Sequence, residues 1–403
     1  MVRIRLPRLQ AARAGIWLSC SYFWYFAAIG CFAPYIALYY RHLQLSGLQI
    51  GVLGAILPLG IAFIAPLWGG LADSFSAHRL LLRCTLLVAV VAALLLSQTT
   101  SFVALLPLMV LLAICLAAVP ALLDSYAMMI SDREGTSFGR IRMWGSIGFI
   151  VMVWLLAWWM GQSVSSVFLI AYAVTLLLTC AATLGLPPLQ PRSAQPIWQG
   201  VSEIVRDRSV ALLLLTVYLV TSNATIMSSY LGIYLIEIGG TARLVGTASV
   251  VAAISELPVL IFGRWLLERF TSRRIFILAV GAYMLRFLLY SIPPSPYAVL
   301  AVQLLHGLSF GMYLMASVTL VHELAGRERA ATAQGLLSST SLGFGAITGS
   351  LVGGALLDRI GAVGIFRVAA VGMLMALGVC LLSARASAAR RAVTKPVLRH
   401  SQK

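Results

Sequence analysis

Charged residues are scarce in this sequence. Of 403 residues, 29 are Lys or Arg and 12 are Asp or Glu, which is a charged fraction of 10%. A soluble protein carries about 25% because its surface faces water. Hydrophobic residues make up 61% of the chain, and a globular core cannot hide that much apolar sequence. These values exclude a soluble globular protein, a disordered chain and a disulfide-rich secreted scaffold.

Metal-binding and redox motifs are also lacking. The six cysteines form no Cys-x-x-Cys pair and have no histidine at metal-binding spacing, so we expect them to pack as small apolar side chains. We therefore expect no cofactor and no metal. The net charge of +17 is typical of nucleic-acid binders, but most of this chain has no polar face for such a site. We expect no nucleic-acid partner, and the positive charge needs another explanation.

Long apolar runs fill most of the chain. About twenty apolar residues span a bilayer core, and twelve such runs alternate with short polar turns. The predicted spans are 14–40, 50–72, 80–98, 102–129, 138–160, 165–186, 210–236, 244–266, 274–292, 297–322, 331–356 and 364–384. The sequence thus predicts an all-α integral membrane protein with twelve transmembrane helices. Its units are a six-helix bundle at 1–186, a polar linker at 187–209, a second six-helix bundle at 210–384 and a basic tail at 385–403.

The basic residues determine the predicted orientation. If both termini are cytoplasmic, 24 of the 29 Lys and Arg residues lie in inner segments. The outer loops then hold only Arg41, Arg243, Arg359 and Arg367, and Arg286 lies inside an apolar run. Membrane proteins concentrate Lys and Arg in cytoplasmic loops. We therefore predict cytoplasmic termini, and insertion into the lipid bilayer accounts for most of the positive charge.

Two loop segments share a pattern at about half the length of the chain. GGLADSFSAHR follows the second predicted span and GRWLLERFTSRR follows the eighth, with Asp73 and Glu268 separated by 195 positions. Each segment combines glycine, a carboxylate and arginines. Such a loop could act as a charge latch, in which the carboxylate pairs with an arginine of a neighbouring helix in only one conformation. The alternative is an ordinary basic loop with incidental acidic residues.

These duplicated halves resemble the major facilitator superfamily. That superfamily carries Gly-x-x-x-Asp-Arg-x-Gly-Arg-Arg between its second and third helices. The residues that follow the pattern are Gly69, Asp73 and a displaced Arg79 in the first copy, and Glu268, Arg269, Arg273 and Arg274 in the second. The resemblance implies two six-helix repeats, transport by alternating access, gating roles for these loop residues, and a monomer.

Five ionisable side chains lie away from the ends of the predicted spans. Four are Asp124, Glu256, Arg286 and His306, in the fourth, eighth, ninth and tenth spans, and the fifth, Arg142, lies one or two turns inside the fifth span. A charge near the bilayer centre costs several kcal/mol, so it faces a partner or a cavity. We take these five as candidate functional residues.

The surroundings of these residues resemble the lactose-permease type of proton symporter. In that family an acidic residue of helix 4 pairs with the second arginine of a stretch like FGRIRMWGSIG (138–148) to hold substrate. The resemblance therefore implies substrate binding by Asp124 and Arg142, with Ser146 at the same site. The stretches AAISELP, YMLRFL and QLLHGLS match that family's coupling residues and imply proton-coupling roles for Glu256, Arg286 and His306.

The sequence departs from that family at two positions of helix 10. Ser309 replaces a carboxylate, and Gln303 replaces a member of an ionic pair. The phenylpropionate-permease-like branch, whose helix 10 has Leu-His followed by small or polar residues, resembles the chain more closely. This branch implies a multi-pass protein of the bacterial inner (cytoplasmic) membrane.

The chemistry of three of these side chains favours proton coupling. Burial favours the uncharged form of a carboxyl group, so Glu256 is the leading proton carrier. Arg286 keeps its charge and favours ionised Glu256 when the two approach, and His306 can orient either group or donate to the substrate. The alternatives are a fixed ion pair at Glu256, a purely structural Asp124–Arg142 pair, and a histidine that belongs to the core.

Three classes of function are open to a multi-span membrane protein with these residues. The first is a proton-coupled symporter that takes up a small organic solute, such as an aromatic acid or a sugar-like compound. The second is a proton-coupled efflux antiporter of drugs or metabolites; such exporters usually carry a Gly-Pro-rich motif in helix 5, and residues 142–160 contain no proline. The third, a membrane enzyme, needs an acidic metal site or large outer loops. The sequence predicts the symporter, with the solute, protons and lipid as its partners.

Overall fold

The computed structural model describes residues 8–75, 77–134, 138–162, 164–188, 201–292, 295–326 and 329–394, and these ranges are helical with no strand. The helices of the first half are α1 (Arg8–Phe32), α2 (Ile36–His42), α3 (Gly47–Leu59), α4 (Ala65–Phe75), α5 (His78–Gln98), α6 (Phe102–Leu116), α7 (Val119–Glu134), α8 (Phe138–Met160) and α9 (Val167–Ala182). Those of the second half are α10 (Val201–Arg206), α11 (Arg208–Glu237), α12 (Ala242–Arg269), α13 (Ser272–Ser291), α14 (Pro296–Gln303), α15 (Met312–Ala325), α16 (Ala330–Ser338) and α17 (Ala346–Thr394). A helix satisfies its own backbone polar groups, as the bilayer requires, and the predicted all-α membrane class is confirmed.

Eleven helical runs in the described ranges are long and apolar enough to cross a membrane. The last of them, Thr332–Arg385, has 54 residues, which corresponds to about 80 Å of helix, against about 30 Å for a bilayer core. Gly361 interrupts it with a non-helical backbone (φ 68°, ψ 174°). The carboxylate of Glu237 accepts a hydrogen bond from the N–H of Ala362 (2.7 Å), where the helix resumes. This break lies between the predicted eleventh and twelfth spans; the count of twelve and the cytoplasmic termini stay predictions.

In each half, the side chain of one arginine forms a hydrogen bond that connects two helices. Arg83, near the start of α5, donates to the carbonyl oxygen of Thr183 (3.1 Å) just after α9. Arg273, near the start of α13, donates to the carbonyl oxygen of Ser383 (3.0 Å), where the predicted twelfth span ends. Arginine side chains commonly bind carbonyl groups near helix ends in this way. The halves therefore share a contact as well as a loop pattern, whereas the exact boundaries of the two bundles and the linker stay predictions.

The main interface between the halves joins α3 to α17 and α8 to α12. Two π-helices, Gly60–Ile64 after α3 and Ser339–Gly345 before α17, also meet across this interface. Beyond them, α4 packs on helices of the first half and α16 packs on helices of the second. The main interface thus extends from the end of the molecule that carries Gly361 to the two π-helices. We call the Gly361 end the outer end, after the orientation that the sequence predicts.

Candidate functional site

Arg286 on α13 is completely buried. Its guanidinium donates to Oε1 of Gln303 (2.6 Å) and Oγ of Ser309 (2.8 Å), and it lies 3.0 Å from Nδ1 of His306. Because a guanidinium has no acceptor, Nδ1 of His306 is the unprotonated nitrogen. Within the described ranges no carboxylate pairs directly with Arg286. The buried cation is therefore held by three neutral acceptors.

The other ring nitrogen of His306 contacts Glu256 on α12. Nε2 lies 2.8 Å from Oε1 of Glu256. Since Nδ1 accepts from Arg286, Nε2 carries the imidazole proton and donates it to the carboxylate. The ring also stacks on Phe310, with 5.2 Å between the ring centroids and 15° between the planes. A hydrogen-bonded chain thus runs from Glu256 through His306 to Arg286, with the histidine between the two charged groups.

A π-helix and a glycine position His306. The π-helix Gly307–Gly311 follows this residue directly, and such turns are frequent at functional sites. A Cβ atom at Gly307 would collide with the carbonyl oxygen of Ser255 on α12, and the Gly307 N–H donates to Oγ of Ser255 (2.9 Å). The missing side chain allows the two helices to approach closely enough for His306 to reach Glu256.

Gly307→Ala is expected to lower thermal stability and proton-driven uptake together. The added methyl meets backbone atoms that cannot rotate away, so the helices must separate, at a cost of about 1–3 kcal/mol. Thermal melting of the purified protein and uptake under a pH gradient measure the two effects. Gly281→Ala on α13 is the matched control, because a Cβ atom at Gly281 would meet no atom within 4 Å beyond its own stretch of helix. A Gly307→Ala protein as stable as the wild type contradicts this packing argument.

The first half contributes Asp124 and Arg142, but not as a direct pair. Oδ1 of Asp124 accepts a hydrogen bond from the hydroxyl of Tyr22 (2.5 Å). The guanidinium carbon of Arg142 lies 3.9 Å from the ring centroid of Phe26 and 5.7 Å from that of Tyr22. In the part of the chain that the structure describes, no ion pair joins Asp124 to Arg142. The pair that the resemblance implies is replaced here by cation–π stacking of the arginine, with Tyr22 between the two charges.

Arg142, Ser146 and Phe149 lie on one face of α8, because their positions are i, i+4 and i+7. Phe149 lines a cavity of about 180 Å³ between the two halves. Glu256 and His306 lie on the wall that the second half contributes. The remaining lining residues are Ala33, Pro34, Met227, Ser228, Leu231, Ser249, Ala252, Ala253 and Gln303. The helix face that carries two predicted substrate-binding residues therefore leads to the cavity that Glu256 and His306 line.

The predicted latch residues lie at the ends of α4, α5, α12 and α13. Glu268 forms a 2.8 Å ion pair with Arg264 of its own helix, whereas the latch hypothesis needs an arginine of another helix. Arg273 donates to the carbonyl oxygen of Ser383 within α17, and the side chain of Asp73 lies outside the described residues. The exposed arginines of the set are Arg79, Arg269 and Arg274. The charge latch in these loops stays a prediction.

Three further residues of this region were not predicted as site residues. Gln303 and Ser309 counted only as departures from a family pattern, yet both accept hydrogen bonds from Arg286. Tyr22 was missed, although it lies one turn from Phe26 on the same face of α1. That spacing was a usable signal, but the sequence does not show which face of α1 is turned toward α7 and α8.

Comparisons with known proteins give the same fold. Residues 15–368 match a family described as the MFS_1-like family. A maltose permease of Geobacillus stearothermophilus is 31% identical over 350 residues, which are 86% of this chain and 89% of the permease. A probable 3-phenylpropionic acid transporter of Escherichia coli is 31% identical over 148 residues, 36% of this chain and 37% of that protein. The crystal structure of a nucleoside transporter, NupG, superposes with a TM-score of 0.82 at 16% identity and covers 92% of this chain and 99% of its own.

Proposed function

Because the chain belongs to the MFS_1-like family of membrane transporters, we propose that it is a proton-coupled symporter of a small organic solute. As a member of this family it is a multi-pass membrane transporter and not an enzyme. The proposal goes further: the protein acts in a bacterial inner membrane, as a monomer, and takes up an aromatic acid or a sugar-like compound. The observation that carries it is the hydrogen-bonded chain from Glu256 through His306 to Arg286 beside the cavity between the halves.

Protonation of Glu256 changes the charge of the cavity wall. While ionised, the carboxylate accepts the Nε2 proton of His306, whose other nitrogen is fixed by Arg286. Each hydrogen bond of such a chain polarises and strengthens the next. A charged carboxylate in a closed, dry cavity costs several kcal/mol. Closure around Glu256 is therefore easier once the carboxyl group has taken up a proton.

Solute binding to residues of the first half is the second requirement for closure of the cavity. The guanidinium face of Arg142 lies on Phe26, and among the described residues no hydrogen bond occupies its N–H groups. Ser146 lies one turn further along α8 toward the cavity. A guanidinium binds a carboxylate with two parallel hydrogen bonds, and adjacent hydroxyl groups of a sugar can accept the same donors. A bound solute replaces water at these polar groups, and a proton neutralises Glu256. The bound solute and the proton are therefore both needed before the two halves change to the conformation that opens on the other side of the membrane.

Uptake into liposomes tests the proposal. The purified chain is reconstituted, an inside-alkaline pH gradient is imposed, and entry of labelled 3-phenylpropionate, maltose and uridine is followed. We expect one of these classes to accumulate above its outside concentration, and a protonophore to abolish the accumulation. Protein-free liposomes correct for permeation of weak acids. Solute uptake that is equal with and without the pH gradient contradicts proton coupling. Solute extrusion driven by inward proton movement indicates the antiporter instead.

A further inference from the structure

One carboxylate of the second half binds two groups of the first half at the outer end. Oδ1 of Asp358 on α17 lies 2.9 Å from Nη1 of Arg41, in the last turn of α2. Oδ2 accepts a hydrogen bond from the N–H of Gly47 (2.6 Å), the first residue of α3. These contacts connect positions more than 300 residues apart in the chain. We call these three residues the outer latch.

The start of α3 is built to receive this carboxylate. Ser46 and Gln49 form a capping box, in which each side chain binds the backbone N–H of the other residue. The box fixes the first turn and leaves the N–H of Gly47 directed at Asp358. The positive end of the helix dipole also favours a carboxylate at this place.

Two helix backbones touch beneath the outer latch. A Cβ atom at Gly354 would collide with the carbonyl oxygen of Gly47, and one at Gly51 would lie 2.6 Å from the carbonyl oxygen of Ser350. α3 and α17 are thus in direct backbone contact, which closes the outer end at this place. Backbone bonds such as Arg243 N–H to the Gly161 carbonyl (2.9 Å) join the halves elsewhere at this end.

We propose that Asp358 is a gating residue that holds the outer end closed and that its release opens the central cavity to the outside. This inference rests on the proposed alternating-access cycle, which requires α3 and α17 to separate. The side chains of Arg41 and Asp358 are each 42% exposed, so water solvates both groups once they part. Ion pairs with this exposure are weak. The outer latch can therefore bias the closed state without preventing opening.

Cysteine labelling measures the opening without any solute. Ser228 lines the cavity, so Ser228→Cys serves as the reporter in right-side-out membrane vesicles treated with a membrane-impermeant maleimide. The rate in the same chain without the added cysteine is subtracted. Asp358→Asn is expected to raise the labelling rate from outside about three- to tenfold, because it removes a charge-assisted bond and an ion pair. Arg41→Gln should raise it by a smaller factor, since the bond to Gly47 remains.

Glu237→Gln is the matched control. Glu237 is also a carboxylate at the outer end that accepts a backbone N–H, but its partner, Ala362, belongs to the same half. The labelling rate of the Ser228→Cys reporter in the Glu237→Gln protein should equal its rate in the protein without that substitution. An unchanged rate in a folded Asp358→Asn protein, or an equal rise in Glu237→Gln, overturns the gating role. Since no solute is present, this result does not depend on whether uptake is coupled to protons.

Discussion

Glu256→Gln is expected to abolish solute accumulation driven by a pH gradient and to leave exchange of solute for solute intact. Glutamine cannot take up a proton in the relevant pH range, but its carbonyl oxygen can still accept the Nε2 proton of His306. The chain to Arg286 therefore stays assembled, and the cavity wall is permanently neutral. Gradient-driven uptake and counterflow in the same liposome preparation measure the two activities separately.

Two comparisons make this experiment decisive. Glu237→Gln removes a carboxylate of the same half that caps Ala362 and lies at the outer end, so both activities should persist. Accumulation against a concentration gradient by the Glu256→Gln protein would show that another group carries the proton. Loss of both activities in a protein with wild-type melting temperature would show that Glu256 binds the solute and is not primarily a proton carrier.

Arg142→Lys is expected to weaken solute binding about ten- to a hundredfold. The guanidinium is planar, stacks on Phe26 at 3.9 Å and offers parallel N–H donors, whereas an ammonium is a point charge that cannot do both. Loss of a hydrogen bond to a charged group costs about 1.5–3 kcal/mol, and each 1.4 kcal/mol corresponds to about a tenfold change in affinity. Titration of the purified protein with the transported solute measures the change.

Arg140→Lys provides the control for this substitution. Arg140 is exposed two residues earlier on α8, so it turns to a different side of the helix. Its conservative replacement should leave the dissociation constant unchanged. An Arg142→Lys protein that binds the solute as tightly as the wild type removes Arg142 from the binding site.

The fold was predictable because the bilayer imposes simple constraints on sequence. Apolar length alone predicted an all-helical membrane protein, and the glycine that interrupts the last long run, Gly361, lies between two predicted spans. The π-helices at Gly60–Ile64, Gly307–Gly311 and Ser339–Gly345 were not predicted. They depend on how one helix packs against another, as at Gly307 and Ser255, and no local sequence pattern reports such a contact.

The charged part of the site was predictable for a related reason. A charge inside a span is costly and rare, so Glu256 and Arg286 stood out. The neutral residues that bind Arg286 do not stand out in this way, since serine and glutamine side chains are tolerated in spans. Ser309 and Gln303 were therefore not predicted as site residues. The arrangement of Asp124 relative to Arg142 depends on the rotation of α1, whose rings separate the two charges. That rotation is a property of the packed bundle.

Proton movement caused by the solute tests the central claim most directly. The solute is added outside lightly buffered liposomes that contain the protein and have no imposed gradient, and the outside pH is recorded. Symport predicts a rise in outside pH that accompanies solute entry, with no rise beyond the protein-free level in liposomes that contain the Glu256→Gln protein. Measurable solute entry with an unchanged or falling outside pH contradicts proton symport.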